Sequence, residues 1–349
     1  MDRIPLLGLT PPALCLALGA DLITEPEARR VLAWLVSEGR PDLEGMARPV
    51  HKALRERLRS QTRWDRPAVV ERVEDEGDGS VRYLFALADG KKVEAVRIPL
   101  HKPGCFSVCL SSQVGCAMGC VFCATGRLGL DRNLSAHEIV GCFLAVRDEA
   151  PGRVTGAVFM GQGEPFHNYD AVIAAAQVLS HPCGGRVRAE GISISTVGLL
   201  PSLQRYAEEG HPYRLFVSLT SAVAEKRLDL LPVAGRSALP ELAAVLRRVA
   251  ARSGDRVTLA WVLMKGINTG PDEVEALQAH FGDLPMRLNL IDVNDSRPGG
   301  FERADDDERN AFIDALQVLR APVVRRFSVG RGRASACGML AAEHTSVSP

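Results

Sequence analysis

The chain has 349 residues, 46% of them hydrophobic, and its 42 lysines and arginines balance 42 aspartates and glutamates to a formal net charge of zero. That length exceeds one small core, so a sizeable α/β domain with a smaller unit attached is expected, and the neutral balance excludes a global field toward nucleic acid or an acidic membrane. Nine cysteines, with no secretory signal, membrane span or lipidation motif in view, predict a cytoplasmic protein whose thiols serve metal or catalysis before structural disulfides.

The first apolar run, Ala13 to Leu18, follows Pro11 and Pro12 and is too short to span a bilayer. It reads as a helix capped by Thr10 with Pro11 in its first turn. Val31, Leu32, Leu35 and Val36, then Val50, Leu54 and Leu58, repeat at helical spacing, so residues 10 to about 60 form a small helical unit. From Ala68 to Ile98 the pattern changes to AVVERV, VRYLFAL and KKVEAVRI separated by DEGDG and ADG, which predicts an antiparallel meander. Beyond Phe106, apolar β-rich runs (FSVCLS, TGAVFM, GISIST, RLFVSL, VTLAWVL, MRLNLI, VVRRFSV) alternate with amphipathic helices, the first fixed by a capping box of Ser135 and Glu138. The expected fold class is therefore α/β, with six βα units in a partial (βα)6 barrel, a small N-terminal helical unit and an antiparallel β meander. The expected divisions are a helical accessory domain over 1–66, a β extension over 67–104, the core over 105–340 and a disordered tail over 341–349.

The strongest chemical signal is Cys116, Cys120 and Cys123 in VGCAMGCVFCATG, directly after the first strand of the repeat. Three thiolates this close can hold three irons of a 4Fe–4S cube and leave the fourth iron open to a small molecule. Gly115 and Gly119 let the backbone curl around such a cluster. The competing reading is a structural zinc site completed by Cys109 or Cys105. A second signal is Met160-Gly-Gln-Gly-Glu-Pro165 after TGAVFM, where Gly161 and Gly163 permit close backbone approach and Glu164 can accept hydrogen bonds from a ligand ammonium or hydroxyls. Polar residues recur at the following strand ends: Ser195 and Thr196, Ser218 and Thr220, and Asn294. Strand ends of this kind are where parallel barrels bind ligands.

The cysteine run is similar to that of radical S-adenosylmethionine enzymes, and LSSQVGCAMGCVFCATGRLGLDRNL resembles the RlmN/Cfr family of adenine-methylating RNA enzymes. The likeness extends through GLTPPAL, VFMGQGEP, ISISTVGLLPSL, NLIDVN and ASACGML. The resemblance implies one 4Fe–4S cluster on Cys116, Cys120 and Cys123 and S-adenosylmethionine held by Gly163, Glu164, Ser195, Ser218, Leu219, Thr220 and Asn294. It also implies that Cys337 is methylated on sulfur and delivers its methyl carbon, that Cys109 later forms a transient disulfide with Cys337, and that Glu94 accepts a proton. The implied reaction methylates carbon 2 or carbon 8 of an adenine in ribosomal RNA, with transfer RNA as a second candidate. The implied partners are an RNA and an electron donor such as flavodoxin, acting on a monomer without membrane contact. A peptide or small-molecule substrate is the alternative. The chain departs from the family pattern at Gln162, Thr220 and Asp295.

For RNA, Arg48, Lys52, Arg55, Arg57, Arg59, Arg63 and Arg66, with His51 and Trp64 interspersed, form one basic stretch, and Arg325, Arg326, Arg331 and Arg333 precede Cys337. Solvated helix faces are an equal reading of the first stretch. Cys15, Cys142 and Cys183 are expected to pack as small apolar side chains, Cys105 is unassigned, and His137 and His167 are expected to hydrogen-bond or face solvent.

Overall fold

The computed structural model describes residues 3–19, 21–295, 297–326 and 338–340. Its N-terminal part is helical, as the 3.6-residue periodicity requires. A short strand β1 (Ile4–Pro5) leads to α1 (Pro11–Leu18), α2 (Glu25–Leu32) and α3 (Lys52–Gln61), and β2 (Thr62–Arg63) pairs in parallel with β1. Two prolines occupy the first turn of α1, but Thr10 makes no side-chain capping bond, so the backbone alone sets that boundary. Thr24 and Glu27 instead form a capping box at the start of α2.

Strands β3 (Ala68–Glu74), β4 (Val81–Ala86) and β5 (Lys92–Pro99) form the expected meander. It is not an appendage to a separate sheet. β5 also pairs antiparallel with β6 (Cys105–Leu110), the first strand of the repeat, with Val96 opposite Cys109. After β6 come a hairpin of β7 (Gln113–Cys116) and β8 (Gly129–Asn133) enclosing the short helix α4 (Ala124–Arg127), then α5 (Ala136–Glu149). The alternation continues as β9 (Arg153–Phe159), α6 (Tyr169–Ser180), β10 (Ile192–Thr196), α7 (Leu200–Glu209), β11 (Arg214–Ser218), α8 (Ala224–Leu230), α9 (Leu239–Ser253), β12 (Val257–Leu263), α10 (Pro271–Phe281), β13 (Met286–Asp292), α11 (Asp306–Ala315) and β14 (Val323–Arg326).

One ten-stranded sheet results, in the order β14-β13-β12-β11-β10-β9-β6-β5-β4-β3. The seven strands from β6 to β14 in this sheet run parallel, and the sheet ends at β3 and β14 without closing, which is a partial barrel. Parallel strands covered on both faces need continuous apolar runs, and Val257 to Ala260, Trp261 and Leu263 of β12 are all buried. Ser135 and Glu138 form the capping box expected for α5. His137, in the first turn of α5, is buried: Nδ1 accepts from Leu7 N at 3.2 Å and Nε2 lies 2.8 Å from Asp65 O, which fastens the helical unit to the core. Burial holds its imidazole down to about 4, so the ring is neutral at physiological pH. Among the described residues no helix is long and apolar enough to cross a membrane.

Candidate active site

A cavity of about 170 Å³ opens at the C-terminal ends of the parallel strands. Cys116, Cys120 and Cys123 line one side; Gly163, Glu164, Ser195, Ser218 and Asn294 line the other. The last five stand at or just after the ends of four strands of the parallel sheet, β9, β10, β11 and β13, and the β7–β8 hairpin carries the three cysteines to the same end. Thr196, Asp292, Arg326 and Gly338 complete the polar rim and mouth.

The cysteine loop is shaped by glycine. Gly115 has φ +75°, and a Cβ there would stand 2.0 Å from the carbonyl oxygen of Gly129, so no other residue permits the β7–β8 crossing. Burial pushes the Cys116 thiol up to about 12, and the thiols of Cys120 and Cys123 upward as well; the neighbouring thiolates and Glu164 add to this for Cys120. Such thiols stay protonated until a cation binds, so loading a metal releases protons. Among the described residues no three His, Cys, Asp or Glu side chains converge as a single ion requires. A cube of iron and sulfide spreads its protein sulfurs over separate corners, and an all-thiol, apolar-backed donor set fits it.

Glu164 is held from three directions. Its carboxylate accepts from Val197 N and Phe166 N, each at 2.9 Å, and its own N–H donates to Gln113 Oε1 at 2.8 Å. Gly163, at φ +98°, must lack a side chain because a Cβ would meet Gln113 at 2.6 Å. Burial raises the Glu164 carboxyl to about 7, opposed by hydrogen bonds from the Thr196 hydroxyl and the two amides. A buried carboxylate facing a cavity, with amides on both oxygens, is built to receive a cation.

A model of the radical SAM superfamily matches residues 110–277, a span that begins at the end of β6 and takes in the cysteine loop. A probable RNA methyltransferase of Anaeromyxobacter sp. (strain Fw109-5) is 46% identical over 96% of this chain and 98% of its own length. The dual-specificity RNA methyltransferase RlmN of Bdellovibrio bacteriovorus is 36% identical over 90% of this chain and 77% of its own. The crystal structure of a radical SAM methyltransferase from Sphaerobacter thermophilus superposes with a TM-score of 0.87 at 34% identity, covering 98% of this chain and 100% of the other. The chain belongs to the RlmN/Cfr family of radical S-adenosylmethionine RNA methyltransferases. Family membership implies a 4Fe–4S cluster and S-adenosylmethionine, and the three-thiol loop facing a carboxylate across one cavity suits both.

The other residues expected from the RlmN/Cfr pattern lie around this cavity and not all in it. Leu219 and Thr220 are fully buried behind the wall; Thr220 has φ +59°, and its hydroxyl finds no partner among the described residues. Glu94, on β5, is buried outside the lining. It pairs with Arg82 at 2.8 Å and accepts from Gln162 Nε2 at 3.3 Å, while its N–H donates to Gln162 Oε1. The departure at Gln162 thus ties the glycine loop to Glu94. The departure at Asp295 also has a local partner set: its buried carboxylate binds Arg297 and accepts from Phe301 N, and Arg297 reaches Val121 O of the cysteine loop. Cys109 is buried on β6. Cys337 and the residues Arg331 and Arg333 lie outside the described residues, as does the tail after residue 340.

Two positions carry weight that the sequence did not flag. Gln113 sits within LSSQVGC yet reads as a loop polar residue; it braces Glu164, Asn133 and His167 at once. Arg227 of α8 reads as a solvated helix cation but is fully buried. Burial pulls its guanidinium down to about 10, and Cys120 pulls it back up. In the helical unit, Arg3, Arg40, Arg59, Arg63, Arg66 and Trp64 line a groove of about 700 Å³. Arg59 is paired with Glu44 and Arg66 with Asp148.

Proposed function

We propose that this chain methylates a ring carbon, 2 or 8, of an adenine in ribosomal RNA, with transfer RNA as a second substrate, through an S-methylated Cys337. The RNA methyltransferase names of its relatives support an RNA acceptor. The observation that carries the reading is the fastening of residues 338–340. Gly338 O accepts from Ala124 N at 2.8 Å, Leu340 O accepts from Thr125 Oγ1 at 3.0 Å, and Leu340 packs with Cys109 and Val96. The neighbour of Cys337 in the chain is therefore pinned between the cluster loop and Cys109.

An electron-poor ring carbon does not attack a methylsulfonium, so a polar transfer is closed to it. When bound, the 4Fe–4S cluster and S-adenosylmethionine supply the electron and the carbon radical that a homolytic route needs. The protein's own part is positional. Cys116, Cys120 and Cys123 would hold three irons, and Glu164 would take the ammonium of S-adenosylmethionine with Gly163, Ser195, Ser218 and Asn294 around it. Leu219 and Thr220 set the strand end that presents Ser218. Cys337 carries the methyl carbon, and Glu94 takes the ring proton, reached through Gln162. Release of the methylated base then needs the Cys109 thiolate to attack the Cys337 sulfur, so that the S–S bond forms as the S–C bond to the base breaks; the carbon leaves with that electron pair, conjugated to the ring, and takes a proton to become the methyl, and an external reductant reopens the disulfide. A flavodoxin-like electron donor and a monomeric chain complete the proposal. The arginine groove of the helical unit and Arg325 with Arg326 are the candidate phosphate contacts.

The test is anaerobic incubation with S-adenosylmethionine, a reductant and total RNA from a host lacking the native enzyme, followed by nucleoside mass spectrometry. Appearance of 2-methyladenosine or 8-methyladenosine supports the reading and assigns the carbon. Formation of 5'-deoxyadenosine with no methylated adenosine overturns the RNA reading and points to a peptide or small molecule.

A further inference from the structure

Arg227 is a cation placed where proteins rarely leave one alone. It is 0% exposed, Nη2 donates to Val197 O at 2.9 Å, and Nε and Nη1 find no acceptor among the described residues. Burying an ion without a carboxylate costs several kcal/mol in typical interiors, so a compensating charge is expected nearby. The surroundings are apolar: Leu230 and Leu231 pack with Cys116, Met118, Cys120 and Val197. Val121 N donates to Leu230 O at 3.2 Å, which docks α8 directly on the cysteine loop. Among the described residues, the group whose charge acts on the guanidinium is Cys120 in its thiolate form, the form it takes on binding metal. By contrast Arg297, which donates to Val121 O of the cysteine loop, is exposed and neutralised by Asp295.

We infer that Arg227 is the buried counter-cation of the cluster, a positioning residue that favours the cluster's reduced state. The inference rests on the reading that Cys116, Cys120 and Cys123 hold the cluster. A cube held by three thiolates is anionic, and one more electron makes it more so; a fixed positive charge in a low-dielectric setting offsets that addition. The same guanidinium holds Val197 O while Val197 N holds Glu164, so the cation and the ligand-facing carboxylate are linked through one residue.

The experiment compares wild type, R227Q, R227M and R227K as anaerobically reconstituted full-length protein, reading iron content, circular dichroism and the cluster midpoint potential by redox titration followed by electron paramagnetic resonance. At matched iron content, R227Q and R227M should be at least tenfold harder to reduce, about 59 mV for a one-electron couple, and R227K should recover most of the shift. Unchanged potentials in folded, loaded R227Q and R227M would overturn the inference. If both neutral variants fold but load no iron while R227K loads fully, the charge requirement stands. If R227K fails alongside them, shape and not charge is what Arg227 supplies, and the inference falls. Wild type that binds no iron would instead defeat the underlying cluster reading.

Discussion

Replacing Glu164 by Gln isolates one buried carboxyl whose folded value, about 7, lies well above its unfolded value near 4.5. The folded chain therefore holds this proton more tightly than the unfolded chain does. Below pH 4.5 both states are protonated and the group is neutral to stability; between pH 4.5 and 7 the unfolded state loses the proton first, so stability falls as pH rises, then levels off above 7. The gap between the two values corresponds to about 3 kcal/mol. Gln cannot ionise, so the stability of E164Q relative to wild type should rise by about that amount from pH 4.5 to 8. The assay is urea unfolding of cluster-free, thiol-reduced protein at several pH values, with the difference between the two proteins cancelling other titrations, such as that of His137. A constant difference across this range would refute the reasoning. The same proton competes with an ammonium ligand. Binding of S-adenosylmethionine to the loaded wild type should weaken about tenfold per unit below pH 7, whereas E164Q binds weakly without that slope.

Single Ala substitutions of Cys116, Cys120 or Cys123 should each abolish the 4Fe–4S absorbance and the corresponding iron while leaving circular dichroism unchanged. Gly115→Ala meets the Gly129 carbonyl at 2.0 Å in a left-handed backbone; we expect a loss of about 3 kcal/mol or more, read by urea unfolding, together with failed iron loading. Glu94→Gln removes the buried partner of Arg82 and leaves it the half-exposed Glu71 at 3.2 Å, so it should cost about 2 kcal/mol, with most of it recovered in the R82M/E94Q double variant; additive losses in that cycle would mean the pair is not coupled. Cys337→Ala should give no methylated adenosine, and Cys109→Ala should accumulate protein crosslinked to RNA on denaturing gels. Free product from either variant would sink the two-cysteine route.

The repeat of β-rich runs and amphipathic helices was legible because parallel strands, buried on both faces, must be written as unbroken apolar runs. The cysteine loop was legible for a different reason: its chemistry is local, with all three thiols within eight residues. What the sequence hid is pairing between neighbours of different type. β5 looks like the end of a meander, yet Ala95 to Pro99 pair with Phe106 to Leu110, so the meander and the barrel share a sheet. Arg82 is a single charge in an apolar run, and Arg227 stands among Glu225, Lys226 and Asp229 on a charged helix, so each reads as facing water. Only the tertiary fold shows that Arg82 meets Glu94 across two strands while Arg227 turns inward to Val197 O. Thr220 was legible as a strand-end polar residue, but not as one held at positive φ behind the wall.

That shared sheet has a chemical consequence. If β3 to β5 were a separate extension, Glu94 and Val96 would stand apart from the strand ends where ligands gather. Because β5 is hydrogen-bonded to β6, Val96 lies directly opposite Cys109, and Leu340 closes over both. Glu94, two positions earlier, reaches the glycine loop after β9 through Gln162. The antiparallel edge thus sets Glu94 and Cys109 behind the cavity wall, with Glu94 tied through Gln162 to the glycine loop that lines it. Under the proposed two-cysteine route, the carrier at residue 337 needs the cysteine loop and Cys109 close by at once, and the β5–β6 pairing with Leu340 packed on Val96 and Cys109 is what supports the second requirement.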